Sequence, residues 1–324
     1  MSRSSHLLLL RVAALVGALL LITFHARALD KIHAGKSAAV AWAFIPLDVG
    51  VEAGIFEKYG LDVDITAFAG DQKMQLGLSS GGIDFGLGGG PAMGFVAKGA
   101  PVMAVAAFFG PPKNISVVVG YDSPIKSFAE LKGKPVSSSA IGSLTAWLLQ
   151  RASIAEGWGA DGIKIVALGG FDAGLAALRT NQVAAMSSSV EGGLLLEEQK
   201  VGRNLTDMSK YAPVFITHVV FAQRDLVKDK PELVNRFLKG FFASIAYMKS
   251  HKAETSKIAV SALHETPGVA DRTWDWEIGN FVADGVFDPT ALEVLKESFV
   301  EMGMMDKAPP DDALFTTQFL PVKP

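Results

Sequence analysis

The chain contains no cysteine among its 324 residues. That absence excludes disulfide staples, thiolate metal sites and cysteine nucleophiles together. No basic run occurs, and acidic residues outnumber basic ones by 33 to 30. Such a mildly acidic chain is a poor candidate for binding nucleic acid, and no such partner is expected. No HExxH helix and no GxxxxGK[ST] phosphate loop is present. Beyond residue 28 only His33, His218, His251 and His264 remain, and no two are spaced as a metal pair. His251 and His264 read as solvated. His218 lies in the apolar run VFITHVVFA, which reads as a satisfied strand histidine and, at a strand end, also as a candidate ligand contact. No cofactor is implied.

Apolar runs long enough to span a bilayer are also missing. Arg3 and Arg11 flank a short leucine run, Val12–Phe24 is mostly apolar, and Ala26-Arg27-Ala28 fits a small-x-small cleavage site. The run is shorter than the roughly 20 residues a span requires, so residues 1–28 read as a cleaved export signal. Removing Arg3, Arg11 and Arg27 leaves 27 basic against 33 acidic residues, a net charge of −6. With no cysteine at the cleavage point to carry a lipid, the expected location is the periplasm, in free solution.

What is present is an alternation of strand-like and helix-like segments. Residues 62–65, 101–108, 115–120 and 136–138 read as strands, and residues 72–80 as a helix. Ser127 and Glu130 form a capping box, and a long helix starts near Ser143. This rhythm predicts an α/β protein of two lobes, each a mostly parallel sheet flanked by helices. A shift of 100 positions sets Leu78 on Leu178, Gly81 on Asn181 and Ile83 on Val183. Gly and Asn both tolerate the left-handed conformation that closes a helix. The two lobes are therefore expected to be built alike. Residues 231–250 and 289–302 carry helical periodicity, Pro289 sits at a first turn, and the proline-rich tail is expected to be extended.

In open α/β sheets ligands bind beyond the carboxyl ends of strands, where helix N-termini offer free N–H groups. Small and hydroxyl residues recur at such ends here, in GLGGGP (86–91), in Ser37 to Phe44, at Gly70-Asp71, in Ser138 to Thr145 and in Ser187 to Glu191. Glycines there would let backbone approach a ligand. The candidate ligand-binding residues are Ser37, Trp42, Phe44, Asp71, Gly89, Gly90, Ser139, Gly142, Ser143, Thr145, Ser188, Glu191 and His218.

The segments GIFEKYGLDVDI, GGIDFGLGGGP, DSPIKSFAELKGKPV, LAALRTNQVAA and FAQRDLVKDKPELVNRFLKGF together resemble the nitrate/sulfonate/taurine substrate-binding proteins of ABC importers, the NMT1/THI5-like group. The resemblance implies a two-lobed type II binding-protein fold whose chain crosses between lobes twice. The crossings are expected near Val118–Asp122 and Pro213–Val220, giving lobe 1 at 29–119, lobe 2 at 120–215 and a return with C-terminal helices at 216–324. It implies a protein that holds a small molecule in the cleft, closes over it and delivers it to an inner-membrane ABC permease; nothing in the sequence suggests more than a monomer. The resemblance puts Ser37, Trp42, Asp71, Gly89, Gly90, Ser139, Ser143 and Glu191 at the ligand. One departure stands out. No Lys or Arg lies in 38–44, 137–145 or 187–191, and Lys36 and Lys73 sit only at the margins. Buried Asp71 and Glu191 would oppose a bare anion. An organic ligand with a polar head and an apolar body is expected, sulfonate-like or a heteroaromatic precursor. The alternatives are an enzyme on the same scaffold and a solute sensor for a membrane receptor.

Overall fold

A computed structural model describes residues 28–324. The export signal expected at 1–28 lies outside the described residues, but for Ala28. In chain order the first lobe runs β1 (Asp30–Lys36), α1 (Ile45–Glu52), α2 (Ile55–Lys58), β2 (Leu61–Ala67), α3 (Asp71–Ser79), β3 (Phe85–Gly89), α4 (Met93–Ala97) and β4 (Val102–Phe109). The second holds β5 (Ile115–Gly120), β6 (Pro135–Ser138), α5 (Leu144–Ala155), β7 (Lys164–Ala167), α6 (Phe171–Arg179), β8 (Ala185–Ser189), α7 (Val190–Glu198) and β9 (Gly202–Asp207). Then β10 (His218–Gln223) leads into α8 (Arg224–Asp229), α9 (Pro231–Ser250), α10 (Lys252–Leu263), α11 (Pro267–Glu277) and α12 (Pro289–Glu301).

The two five-stranded sheets have one plan. Their orders are β2-β1-β3-β10-β4 and β7-β6-β8-β5-β9. In each, three strands run parallel and the fourth, a strand that has just crossed from the other lobe, inserts antiparallel. The 100-residue echo holds at the level of whole elements: 71–79 matches 171–179, and 85–89 matches 185–189. Gly81 and Asn181 both adopt the left-handed conformation, with φ of 78° and 56°. Each stops a nine-residue helix and turns the chain back toward its strand.

The first crossing differs from expectation. β5 pairs with β8 and β9, so the chain changes sheets at 110–114 rather than at 118–122. The boundary drawn at residue 119 falls inside a strand of the second sheet. The run ISVVVG is apolar because both faces of β5 are covered, and that burial pattern is the same in either lobe. The return runs through 208–217. The crossings are stitched side by side, with Thr217 N–H donating to the Phe109 carbonyl and Gly90 N–H to the Thr217 carbonyl.

Packing follows the apolar stripes. α9 buries Val234, Phe237, Phe241, Ile245 and Met248, and Phe237 stacks on Phe85 with centroids 3.8 Å apart. In the second lobe Trp147 stacks on Phe215 at 4.3 Å, and its indole N–H donates to Glu301 of α12 at 2.7 Å. β4 is buried along its whole length although it ends its sheet. Its free edge is covered by C-terminal backbone, since Ala107 N–H donates to Gly285 and Phe315 bridges Ala104. An unpaired apolar edge would otherwise invite another chain.

Candidate functional site

Between the lobes lies a cavity of about 500 Å³. Its lining comes from both sheets: Ser37–Ala41, Phe44, Ala67–Asp71 and Gly89 from one side, Ser137–Ser139, Leu144, Thr145, Gly169–Gly174 and Met186–Ser189 from the other. Asn114 and His218, at the two crossings, line it as well.

Two helices aim their starts at this space by the internal symmetry. α3 begins after Gly70 and α6 after Gly170, and neither has a side-chain cap. Their first N–H groups lack intrahelical acceptors and carry partial positive charge. The starts face each other closely: a Cβ on Gly170 would lie 3.7 Å from Ala69, and one on Gly70 would lie 3.8 Å from Ser139. By contrast α5 and α7 are capped by Ser143 and Ser189.

Among the described residues no cationic side chain lines the cavity. Lys36 turns into the first lobe and pairs with Asp48 at 2.9 Å, and Lys73 is exposed on α3. Asp71 does line it, and its Oδ1 accepts the Gly89 N–H at 2.8 Å. Burial pushes its carboxyl above the ordinary range, against the pull of the Gly89 and Ser37 hydrogen bonds. The hydroxyls of Ser138, Ser187 and Ser188 have no hydrogen-bond partner among the described residues. The rest of the wall is mainly apolar, from alanines, Val40, Ile115, Leu144, Met186 and the rings of Phe44, Phe68 and Phe171, with a second carboxylate, Asp172, in the first turn of α6.

His218 is held neutral. Its ring sits among Phe44, Phe108 and Phe109 at centroid distances of 4.9 to 5.7 Å. Burial there pulls its pKa down to about 3, opposed by a hydrogen bond to the Gly88 backbone. Asn114 Nδ2 lies 2.8 Å from Nε2 of the ring; with the amide N–H as donor, the neutral imidazole carries its proton on Nδ1. The pair thus ties one crossing to the other.

Of the thirteen candidates, Ser37, Phe44, Asp71, Gly89, Ser139, Thr145, Ser188 and His218 line the cavity. Trp42, Gly90, Gly142, Ser143 and Glu191 do not. Trp42 is fully buried beside Phe281. Gly90 has no room beside its own chain, because a Cβ there would fall 2.2 Å from the Ile216 carbonyl. Gly142 serves a turn at φ 74°. Ser143 accepts from Ala146 N–H and donates to the Ala140 carbonyl. Glu191 accepts the Trp42 N–H at 2.5 Å, bridging the lobes behind the cavity. Ser143→Ala is accordingly expected to cost about 1 kcal/mol of stability, as for a lost N-cap. Ser139→Ala, at a half-buried hydroxyl, should cost less than half of that; urea denaturation of both variants checks the contrast.

Sequence reasoning missed Asn114, Phe68 and the 169–174 start of α6, and it marked the stretches that hold Ser138 and Ser187 without choosing those two residues. The last was within reach: the 100-residue echo maps Gly70-Asp71 onto Gly170-Phe171. Two stretches match enzyme patterns by letter, GLSSG at 77–81 and GWGADG at 157–162. The first closes α3 and the second leads into β7, whereas a nucleophile elbow or dinucleotide loop runs from strand to helix. Neither touches the cavity.

Comparison with curated protein sequences finds no match. Among solved structures, the chain is similar to the alkanesulfonate-binding protein SsuA from Xanthomonas axonopodis pv. citri bound to MOPS, at 18% identity and a TM-score of 0.74, covering 88% of this chain and 96% of that one. The periplasmic aliphatic sulphonate-binding protein SsuA from Escherichia coli matches at 20% identity and a TM-score of 0.71, covering 89% and 92%. The periplasmic nitrate-binding protein NrtA from Synechocystis PCC 6803 matches at 15% identity and a TM-score of 0.68, covering 88% and 84%. These likenesses establish the two-lobed periplasmic binding-protein fold. The model of the NMT1/THI5-like family matches residues 42–255, well over half of the sequence, and the chain belongs to that family.

Proposed function

We propose that this protein is the extracytoplasmic solute-binding component of an ABC importer. It traps a small organic molecule between its lobes by hinge closure and hands it unchanged to an inner-membrane permease. The observation that carries this reading is the interlobe cavity of about 500 Å³, with two uncapped helix starts meeting across it. That volume falls within the range of small-molecule sites, and a three-oxygen inorganic ion would leave most of it empty. The helix starts suit an oxyanion or a strongly polar head, and the Phe and Ala walls suit an apolar body. The missing cation and the presence of Asp71 and Asp172 favour a ligand that also bears a hydrogen-bond donor over a bare inorganic anion.

An enzyme on this scaffold is the second reading. His218 argues against it, because an imidazole whose pKa has fallen to about 3 is a poor proton acceptor at neutral pH. The test is mass spectrometry of small molecules released when the purified protein is denatured, followed by calorimetry with the molecule found. The expected result is one-to-one binding with no turnover, and about tenfold weaker binding in the Ser139→Ala, Thr145→Val double variant, as for one or two lost hydrogen bonds. Unchanged affinity would move the site elsewhere, and conversion of the molecule would favour the enzyme. Ligand at 100 times its dissociation constant should stabilise the protein by about 2.7 kcal/mol.

A further inference from the structure

Behind the cavity the lobes meet through three buried carboxyls that no cation among the described residues neutralises. Glu191 belongs to the first turn of α7 in the second lobe. Glu277 ends α11, and Glu265 lies in the turn before that helix. α11 packs on α10, which packs on α1, so both belong with the first lobe. Their side chains are sealed: Glu191, Glu265 and Glu277 are 2%, 7% and 0% exposed. One Glu191 oxygen accepts the Trp42 N–H of the first lobe. Among the described residues its other oxygen, both oxygens of Glu265 and both of Glu277 find no hydrogen-bond partner of good geometry, although the Ser189 hydroxyl is near enough to Glu191 to oppose its protonation. Glu191 and Glu277 are neighbours across the α7–α11 contact. Two unprotonated carboxyls cannot hydrogen-bond each other, so a bond between them needs a proton.

The surrounding charges do not supply compensation. α7 adds Glu197 and Glu198, α11 adds Asp271, Arg272 and Asp275, and α10 adds Lys252, Glu254 and Lys257. Arg272 is committed to Glu197 at 4.0 Å and Lys252 to Asp275 at 2.6 Å. Lys257 is exposed, and Lys249 of α9 donates to the Phe281 carbonyl. From β9, Arg203 donates to the carbonyls of Ser123 and Ile125, and Asp207 accepts from Ser209. The Trp42–Phe44 segment, β5 and β8 bring no ionisable group.

We propose that the Glu191–Glu265–Glu277 cluster is a proton-operated latch: the lobes close over it with protons bound, and opening releases them. Burial pushes Glu191 up to about 7 and Glu265 up to about 8, and Glu277 rises as well, chiefly through burial and then through Glu191. Parting α7 from α11 lets water reach these groups and returns them toward ordinary carboxylate behaviour. The closed form therefore binds more protons than the open form. Closure is favoured at low pH and loses ground as pH rises above the ordinary carboxylate range toward 7–8.

The inference rests on the hinged reading, and one experiment separates the two. The cysteine-free chain accepts spin labels without background. Leu76→Cys on α3 and Gln182→Cys after α6 place one label on each lobe at exposed sites. Distance distributions of the ligand-free protein would be recorded from pH 5 to pH 8.5. The expected result is two distances whose closed-to-open ratio falls at least tenfold between pH 5 and pH 7, and a smaller fall in Glu277→Gln. Glu265→Gln, at the more accessible turn, gives the same comparison if Glu277→Gln does not fold. Two distances in a pH-independent ratio, or a full pH response in both variants, would overturn the latch alone. A single unchanging distance in every protein and at every pH would overturn hinge motion with it.

Discussion

Replacing Gly90 by alanine is expected to lower the melting temperature by roughly 6–12 °C, corresponding to about 3 kcal/mol in a protein of this size. The added methyl would fall 2.2 Å from the Ile216 carbonyl oxygen and 3.1 Å from Leu295. The first of these neighbours is backbone, and it belongs to the return crossing, where Gly90 N–H also donates to Thr217. No rotamer change relieves the contact, so the crossing itself must shift. Gly99→Ala makes the comparison informative: that glycine has open space around it but a φ of 91°. It should lose stability through backbone strain alone, about 1 kcal/mol. Differential scanning calorimetry of the two variants distinguishes collision from conformational strain. Equal losses would mean that the crossing gives way easily.

The acid limb of stability should depend on His218. Its pKa is about 3 in the folded protein and near 6.5 when unfolded. The unfolded chain thus binds the proton more readily. The contribution is fully present above pH 6.5 and is lost as pH falls toward 3. The linkage slope is about 1.4 kcal/mol per pH unit, so roughly 4 kcal/mol disappears between pH 6.5 and 3.5. Urea midpoints measured across that range in wild type and in His218→Gln should converge on the acid side. The glutamine variant will be weaker near neutrality, where it forfeits packing against Phe44, Phe108 and Phe109. Parallel curves would show that the ring does not titrate on unfolding as described.

The sequence disclosed most where local physics decides the outcome. A residue that must close a helix with positive φ leaves a trace, and Gly81 and Asn181 marked the repeat from which both lobes are built. Proline at a first turn and a full apolar stripe placed α12 and α9. Cavity positions were legible where a hydroxyl or glycine ends a strand, as at Ser37, Gly89, Ser139 and Ser188. The failures share a cause, which is that the deciding partner is far along the chain. Gly90 reads as bare backbone for a ligand, but the atom that requires it is at Ile216. Glu191 reads as a ligand contact, yet its partners are Trp42 and Glu277. The run at 115–120 reads as a strand of either lobe, because apolarity on both faces reports burial and carries no address.

The order of the strands has a consequence for how the molecule is made. The second lobe is one uninterrupted stretch, Ile115 to Asp207, and can complete its sheet as soon as that stretch has emerged. The first lobe cannot. Its β3 and β4 are kept apart by a slot that only β10 fills, and β10 begins at His218, after the whole second lobe. A chain that emerges from its N-terminus, as in synthesis, therefore finishes its later-arriving lobe first. The earlier lobe waits with two unsatisfied strand edges facing each other across the gap, the state in which this protein is most exposed to wrong partners.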